Sequence, residues 1–223
     1  MKKEKFGLRI VTYLFGLFVM AIGVAVSIKA NLGVSPVSSI PYTMTVVWGI
    51  EMGKATILFH SFVVFIQFLI SRKDFKLKSL LEVVVGIIFG YYMTFCNSVV
   101  GRIPEPKDMS GRIALLVASV ILVAIGLFFY LKANIMPMAA EGCMQAITAK
   151  TGIQFSKIKV IFDSSMVLIS FTICMVVIHG LGSVGIGTIL AAVLVGSVHG
   201  YFAKSVNGLV ECRKANTERP AAV

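Results

Sequence analysis

Charge is scarce in this 223-residue chain: Asp, Glu, Lys and Arg make up 14% of it, against roughly 25% in a soluble globular domain. Acids are the scarcer kind, with 10 Asp and Glu against 21 Lys and Arg, and they are too dispersed to form an evident acid–base pair. Cysteine is sparse as well. Cys96, Cys143, Cys174 and Cys212 form no CxxC pair, which excludes a disulfide framework, a zinc ribbon or a haem attachment. No P-loop, HExxH pair, GxSxG elbow or dinucleotide fingerprint occurs, so a nucleotide-driven pump and a familiar membrane hydrolase are disfavoured. The chain is not expected to be an enzyme, and neither metal nor cofactor is expected.

What fills the chain is apolar: 57% of residues are hydrophobic. They gather into runs at 10–28, 55–71, 79–100, 113–131, 160–178 and 184–203. Such lengths match the ~20 helical residues needed to cross ~30 Å of hydrocarbon. The reading is an all-α polytopic membrane protein. Its net charge of +11 then reports basic cytoplasmic loops rather than a nucleic-acid partner. The first run follows a basic start, MKKEK with Arg9. It lacks a small-residue cleavage site, so it is read as a retained span.

Two shorter segments, 35–49 and 137–149, follow the first and fourth runs and are interrupted by Pro, Ser, Gly and Glu. The order long, short, long, long therefore occurs twice. Residues agree at one constant offset: Ala21-Ile22-Gly23 with Ala124-Ile125-Gly126, Lys29-Ala30-Asn31 with Lys132-Ala133-Asn134, Gly49-Ile50 with Gly152-Ile153, Lys54 with Lys157, and Phe59-His60-Ser61 with Phe162-Asp163-Ser164. At a slightly longer offset GIIFG (86–90) resembles GSVHG (196–200), small-xxx-small pairs that predict tight helix contact between repeats or protomers. Internal duplication of this kind is frequent in transporters. The organisation expected is a first membrane repeat at 1–100, a polar hinge at 101–112, a second repeat at 113–206 and a cytoplasmic tail at 207–223.

Two topologies fit. In one, the short segments do not cross and there are six spans; in the other they cross and there are eight. RKDFKLK (72–78) is strongly basic, whereas its counterpart HGLGSVG (179–185) has no Lys or Arg. Opposite charge bias in equivalent loops is what inverted repeats produce, and it favours the first topology. The expectation is two inverted repeats, each of three transmembrane helices plus one short broken or re-entrant helix, with both termini cytoplasmic.

Backbone that leaves the helix inside hydrocarbon must be buried in protein or line a wet cavity. Pro36, Pro41 and Pro137 are expected to enforce such breaks. The N-terminus of a short helix also offers free N–H groups and a positive dipole end. Candidate solute ligands are Ser35, Ser38, Ser39 and Tyr42 from the first segment and Glu141 and Gln145 from the second, the last two at helical i, i+4 spacing. An ionised carboxylate near the bilayer centre costs roughly 2.5–3.5 kcal/mol on insertion scales, so Glu141 weighs most. Capping of its own helix is the competing role. His60 and its counterpart Asp163 are placed to face one cavity from opposite repeats. Glu82, expected near the membrane surface, and His199 are weaker candidates. Lys29 and Lys132 are expected to snorkel, with Asn31 and Asn134 ending their helices.

LGVSPVSSIPYTMT (32–45), KANIMPMAAEGCMQAI (132–147), FSKIKVIFD (155–163) and GTILAAVLVG (187–196) resemble the YczE/YitT-like family of bacterial integral membrane proteins. The family pattern at Glu141 reads closer to LPGEG, whereas MAAEG stands here with Pro137 displaced. The resemblance implies a small, multi-pass protein of the bacterial inner membrane, in a family some of whose members are grouped with exporters. No substrate or catalytic residue carries over. The expected function is a secondary transporter of a small organic solute held between the two short segments. The alternative is a non-transporting membrane partner: an assembly factor, sensor or substrate-binding subunit. A homodimer fits either.

Overall fold

The computed structural model describes residues 2–72, 75, 77–180, 182–185 and 187–189. Seven α-helices follow one another among them: α1 (Lys2–Ala30), α2 (Pro36–Trp48), α3 (Met52–Ser71), α4 (Leu81–Gly101), α5 (Met109–Ala133), α6 (Ala139–Thr151) and α7 (Phe155–Ile178), with a 3-10 turn at Leu77–Leu80 before α4. No strand occurs among the described residues. Among the described residues, five helical stretches are long and apolar enough to cross a membrane: Phe6–Ala30, Met52–Ser71, Leu77–Gly101, Met109–Ala133 and Phe155–Ile178. They match the first five apolar runs. The sixth run, Gly196, His199, Gly200 and the 207–223 tail lie almost wholly outside the described residues.

Helix ends follow the local signals. Asn31 and Asn134 adopt positive φ just after α1 and α5, at 51° and 45°, where the short amide side chain tolerates the left-handed turn that stops a helix. Gly49 and Gly152 close α2 and α6 in the same way, at φ 67° and 72°. Pro36 occupies the first turn of α2, where its missing N–H costs nothing. Pro41 departs from expectation. It sits inside α2 without breaking it. The ring removes only one donor, and the hydroxyls of Thr43 and Thr45 fold back onto the Ser39 and Pro41 carbonyls at 2.9 and 3.2 Å.

Contacts fix the run of each helix. α1 and α5 are antiparallel: Arg9 donates to the carbonyls of Ala133 (2.9 Å) and Asn134 (2.6 Å), Gly16 abuts Gly126, and Gly23 abuts Val123. α4 runs parallel to α1, with Phe18 against Tyr92 and Lys29 reaching the Gly101 carbonyl. α3 returns antiparallel to α4, matching Gly53 with Gly90, His60 with Gly86 and Gln67 with Glu82. GIIFG therefore seals a contact within the first half, because both glycines face α3. α2 lies parallel to α7, and α6 runs alongside α3 until Lys150 caps the Ile70 carbonyl at 2.8 Å. At 13 residues each, α2 and α6 span only about 20 Å.

Two apolar clusters result. One joins α1, α4 and α5 around Leu17, Ala21, Met93 and Tyr130; the other joins α3, α6 and α7 around Val63, Cys143, Met144 and Phe162. Outside them Phe62, Phe65, Tyr91, Val160, Leu168 and Val176 are exposed, an apolar exterior suited to lipid rather than water.

Candidate functional site

Between the two clusters lies a cavity of about 160 Å³. The first turns of both short helices open onto it: Ser35, Pro36 and Ser38 of α2, and Met138, Ala140 and Glu141 of α6. Each helix is brought there by a turn that folds back after a long span. After α1, Gly33 takes φ 106°, Ser27 bonds its carbonyl at 3.1 Å, and Gly187 donates to the Leu32 carbonyl at 2.8 Å. After α5, Tyr13 holds the Met136 carbonyl at 3.0 Å, and the Met138 N–H donates to the Tyr130 hydroxyl at 2.6 Å.

Met20, Val24, Phe89 and Met93 make most of the wall apolar. The polar groups are few. Ser35 bonds Ser38 at 3.1 Å, and neither hydroxyl is consumed by another helix. His60 projects from α3, 2% exposed, between the edges of Phe59 and Phe89 and directly against Gly86. Its Nδ1 has no partner among the described residues. Asp163 on α7 pairs with Lys159 through one oxygen at 2.9 Å, while buried Oδ1 has no partner among them. Two helix N-termini, each equivalent to roughly half a positive charge, face these groups.

Glu141 is both a cavity residue and a cap. Its Oε2 accepts from the Met138 N–H at 3.0 Å and from the Tyr130 hydroxyl. It stands at the third helical position, reaching back to the residue before α6 as the acid of a capping box does. One carboxylate thus secures α6, α5 and the entry turn together.

Ser35, Ser38, His60, Glu141 and Asp163 all line this cavity. Three other candidates do not line this cavity. Ser39 is fully buried on the opposite side of α2, donating to the Pro36 carbonyl at 2.6 Å and accepting from Ser170 at 2.9 Å, so it fastens α2 to α7. Tyr42, almost a full turn further on, packs on the α1–α4–α5 cluster. Gln145 is exposed: α6 leaves the cavity as it runs along α3, and one turn carries this amide about 5.4 Å outward. Glu82, in the first turn of α4, is 2% exposed and covered by α6. Sequence reasoning missed Arg9, Tyr13, Tyr130 and Lys159. The tyrosines carried a usable signal, since a phenol inside an apolar run needs a hydrogen-bond partner.

Cys96, Cys143 and Cys174 are buried and free, and no group of three or more His, Cys, Asp or Glu is placed to hold a metal among the described residues. A family model described as a family of unknown function, DUF6198, matches residues 7–204. The chain belongs to this family. The uncharacterized membrane protein YczE of Bacillus subtilis (strain 168) is 26% identical to this DUF6198 chain over 198 residues, covering 88% of it and 86% of the relative. That agrees with the resemblance drawn from the short segments. No solved structure matches the DUF6198 chain.

Proposed function

We propose that this DUF6198 protein is a secondary transporter, of the exporter type, for a small organic solute bound between the N-termini of α2 and α6. The observation that carries the reading is the meeting of two half-length helices at a single cavity lined by His60 and Asp163, whose buried Nδ1 and Oδ1 atoms have no partner among the described residues. Discontinuous helices ending near the midplane at a repeat interface are how many carriers build their sites. The cavity is close to the ~150 Å³ that holds a benzene-sized guest, so the solute is small. Its polar end meets His60 Nδ1, Asp163 Oδ1 and Ser38, and its apolar body meets the methionines. Glu141 positions α6.

The two halves act as inverted repeats. In support, sequence counterparts α1 and α5 run antiparallel, and each short helix packs on the other half's long one, α2 on α7 and α6 on α3. By the same contacts α2 starts in the interior and ends where α3 begins. α6 starts there too and returns to the end where α1 begins. Arg9, Arg72, Lys78, Lys132, Lys150 and Lys157 lie at that second end, which faces the cytoplasm of a bacterial inner membrane.

A thermal-shift screen of small organic acids, amines and zwitterions on detergent-solubilised protein tests the reading, followed by flux of hits in proteoliposomes. Hits raise the wild-type Tm, and His60→Gln and Asp163→Asn lose the shift. Stabilisation of all three proteins alike would remove the cavity from binding. Binding without flux would leave a substrate-binding partner rather than a carrier.

A further inference from the structure

On the other side of α6 from the cavity, a polar groove of about 530 Å³ runs between α3, α4 and α6, lined by Gln67, Ser79, Glu82, Gln145 and Lys150. At its inner wall Glu82 and Gln67 are 2% and 5% exposed. Gln67 Nε2 donates to Glu82 Oε1 at 3.4 Å. The remaining atoms, Gln67 Oε1 and Glu82 Oε2, are both buried and have no partner among the described residues. Both are acceptors as long as the acid is ionised. Ser79 Oγ accepts from the same Gln67 Nε2 at 3.4 Å, and no donor among the described residues reaches the two remaining acceptors. One proton on Oε2 turns that acceptor into a donor beside the Gln67 amide.

α6 is shaped to cover this pair. A Cβ on Gly142 would collide with both oxygens of the Glu82 carboxyl, so with glycine here the helix lies directly over the carboxyl, and any larger residue would have to displace it. The groove opens at the end of Lys78 and Lys150, where α1 begins. Charged and titratable groups facing Glu82 are Lys78 from the preceding turn, Glu141, Cys143 and Lys150 from α6 and Tyr13 from α1, with His60 one turn along on α3. None among the described residues forms a salt bridge with it.

The geometry points to Glu82 and Gln67 as a proton-binding site, filled from water in this groove and separated from the solute cavity by the first turn of α6. The proton leaves a water or hydronium oxygen, forms the Glu82 O–H bond and cancels one buried negative charge. Coupling of that proton to solute movement rests on the transporter reading above; its binding does not.

Infrared difference spectra of the purified protein between alkaline and acid pH, in H2O and D2O, test the site without any solute. Wild type gives a protonated-carboxyl band that shifts in D2O. Glu82→Gln loses the Glu82 component of this band and keeps the components of the other carboxyls. Gly142→Ala and Gln67→Leu shift the Glu82 component by displacing or removing the amide partner, and Glu141→Gln retains it. A Glu82→Gln spectrum that does not differ from wild type in this region, or a Glu82 component that Gly142→Ala and Gln67→Leu both leave unmoved, overturns the proposal. In proteoliposomes Glu82→Gln abolishes flux driven by a pH gradient and keeps solute exchange. Intact gradient-driven flux in that variant overturns the coupling role. A wild type that moves no solute while the infrared pattern holds removes the transporter reading and leaves the proton site standing.

Discussion

Replacing Tyr130 by Phe removes one oxygen that holds two groups where α6 begins. The hydroxyl donates to Glu141 Oε2 and accepts from the Met138 N–H at 2.6 Å. Met138 keeps a second acceptor, Glu141 Oε2 at 3.0 Å, so only the bond to the carboxylate is lost outright. Hydrogen bonds to charged groups contribute about 1.5–3 kcal/mol, and neutral ones about 0.5–1.5 kcal/mol. Tyr130→Phe should therefore cost about 2 kcal/mol in the wild-type background, and about 1 kcal/mol where Glu141→Gln has already removed the charge. The coupling of about 1 kcal/mol falls within the range measured for hydrogen-bonded neighbours. Unfolding by SDS titration in dodecyl maltoside measures it, with the sole tryptophan, Trp48, as the fluorescent reporter for all four proteins. Equal costs of Tyr130→Phe in the two backgrounds would refute the idea that the phenol acts through Glu141.

Further outcomes follow from the packing. Gly16→Ala places a Cβ 2.5 Å from the Tyr130 nitrogen and 2.8 Å from the Gly126 carbonyl, whereas Gly7→Ala meets nothing within 4 Å. The first should be less stable than the second by about 1–3 kcal/mol in the same titration, and equal stability would mean the α1–α5 crossing is not tight. Ser39→Ala should lower stability by about 1–2 kcal/mol by leaving Ser170 without its buried acceptor, while ligand affinity stays unchanged; Ser38→Ala should do the reverse. In a cysteine-free background, Lys54→Cys and Lys157→Cys are sequence counterparts at the starts of α3 and α7. They should react with an impermeant maleimide from opposite sides of the membrane, and same-side labelling would sink the inverted arrangement.

Much of the helical framework was legible because it rests on one-dimensional signals. An apolar run long enough to cross ~30 Å needs no partner to be recognised, and the Asn and Gly that end α1, α2, α5 and α6 act through their own backbone conformations. The faces of α2 were less legible. It has neighbours on several sides, so its serines, threonines and tyrosine carry no periodic stripe that separates cavity from contact. Ser38 and Ser39 are adjacent in sequence and about 100° apart around the helix; one opens to the cavity and the other is locked to α7. The cover over Glu82 was illegible for a related reason. It lies in the first turn of an apolar helix, and nothing local to it shows that a returning α6 is laid over it. The clue was Gly142, next to the most conspicuous acid of the chain, at a site where any side chain would meet a carboxylate.

This changes where the chemistry of the short segments resides. Glu141 looked like the free ionisable group, being the acid set in the most broken stretch. In the fold its Oε2 is engaged by a backbone N–H and a phenol, and an acceptor so engaged has less to offer a ligand. Among the described residues, the cavity groups with an unmet hydrogen-bonding atom are His60 and Asp163, which stand at matching places in the sequence and are carried on the long helices α3 and α7. Burying a polar atom unpaired costs about 1–3 kcal/mol, and a solute that satisfies both recovers that cost on binding. On the proposed function, the short helices supply the shape and the positive N-terminal ends, and the long helices supply the groups that would choose the ligand.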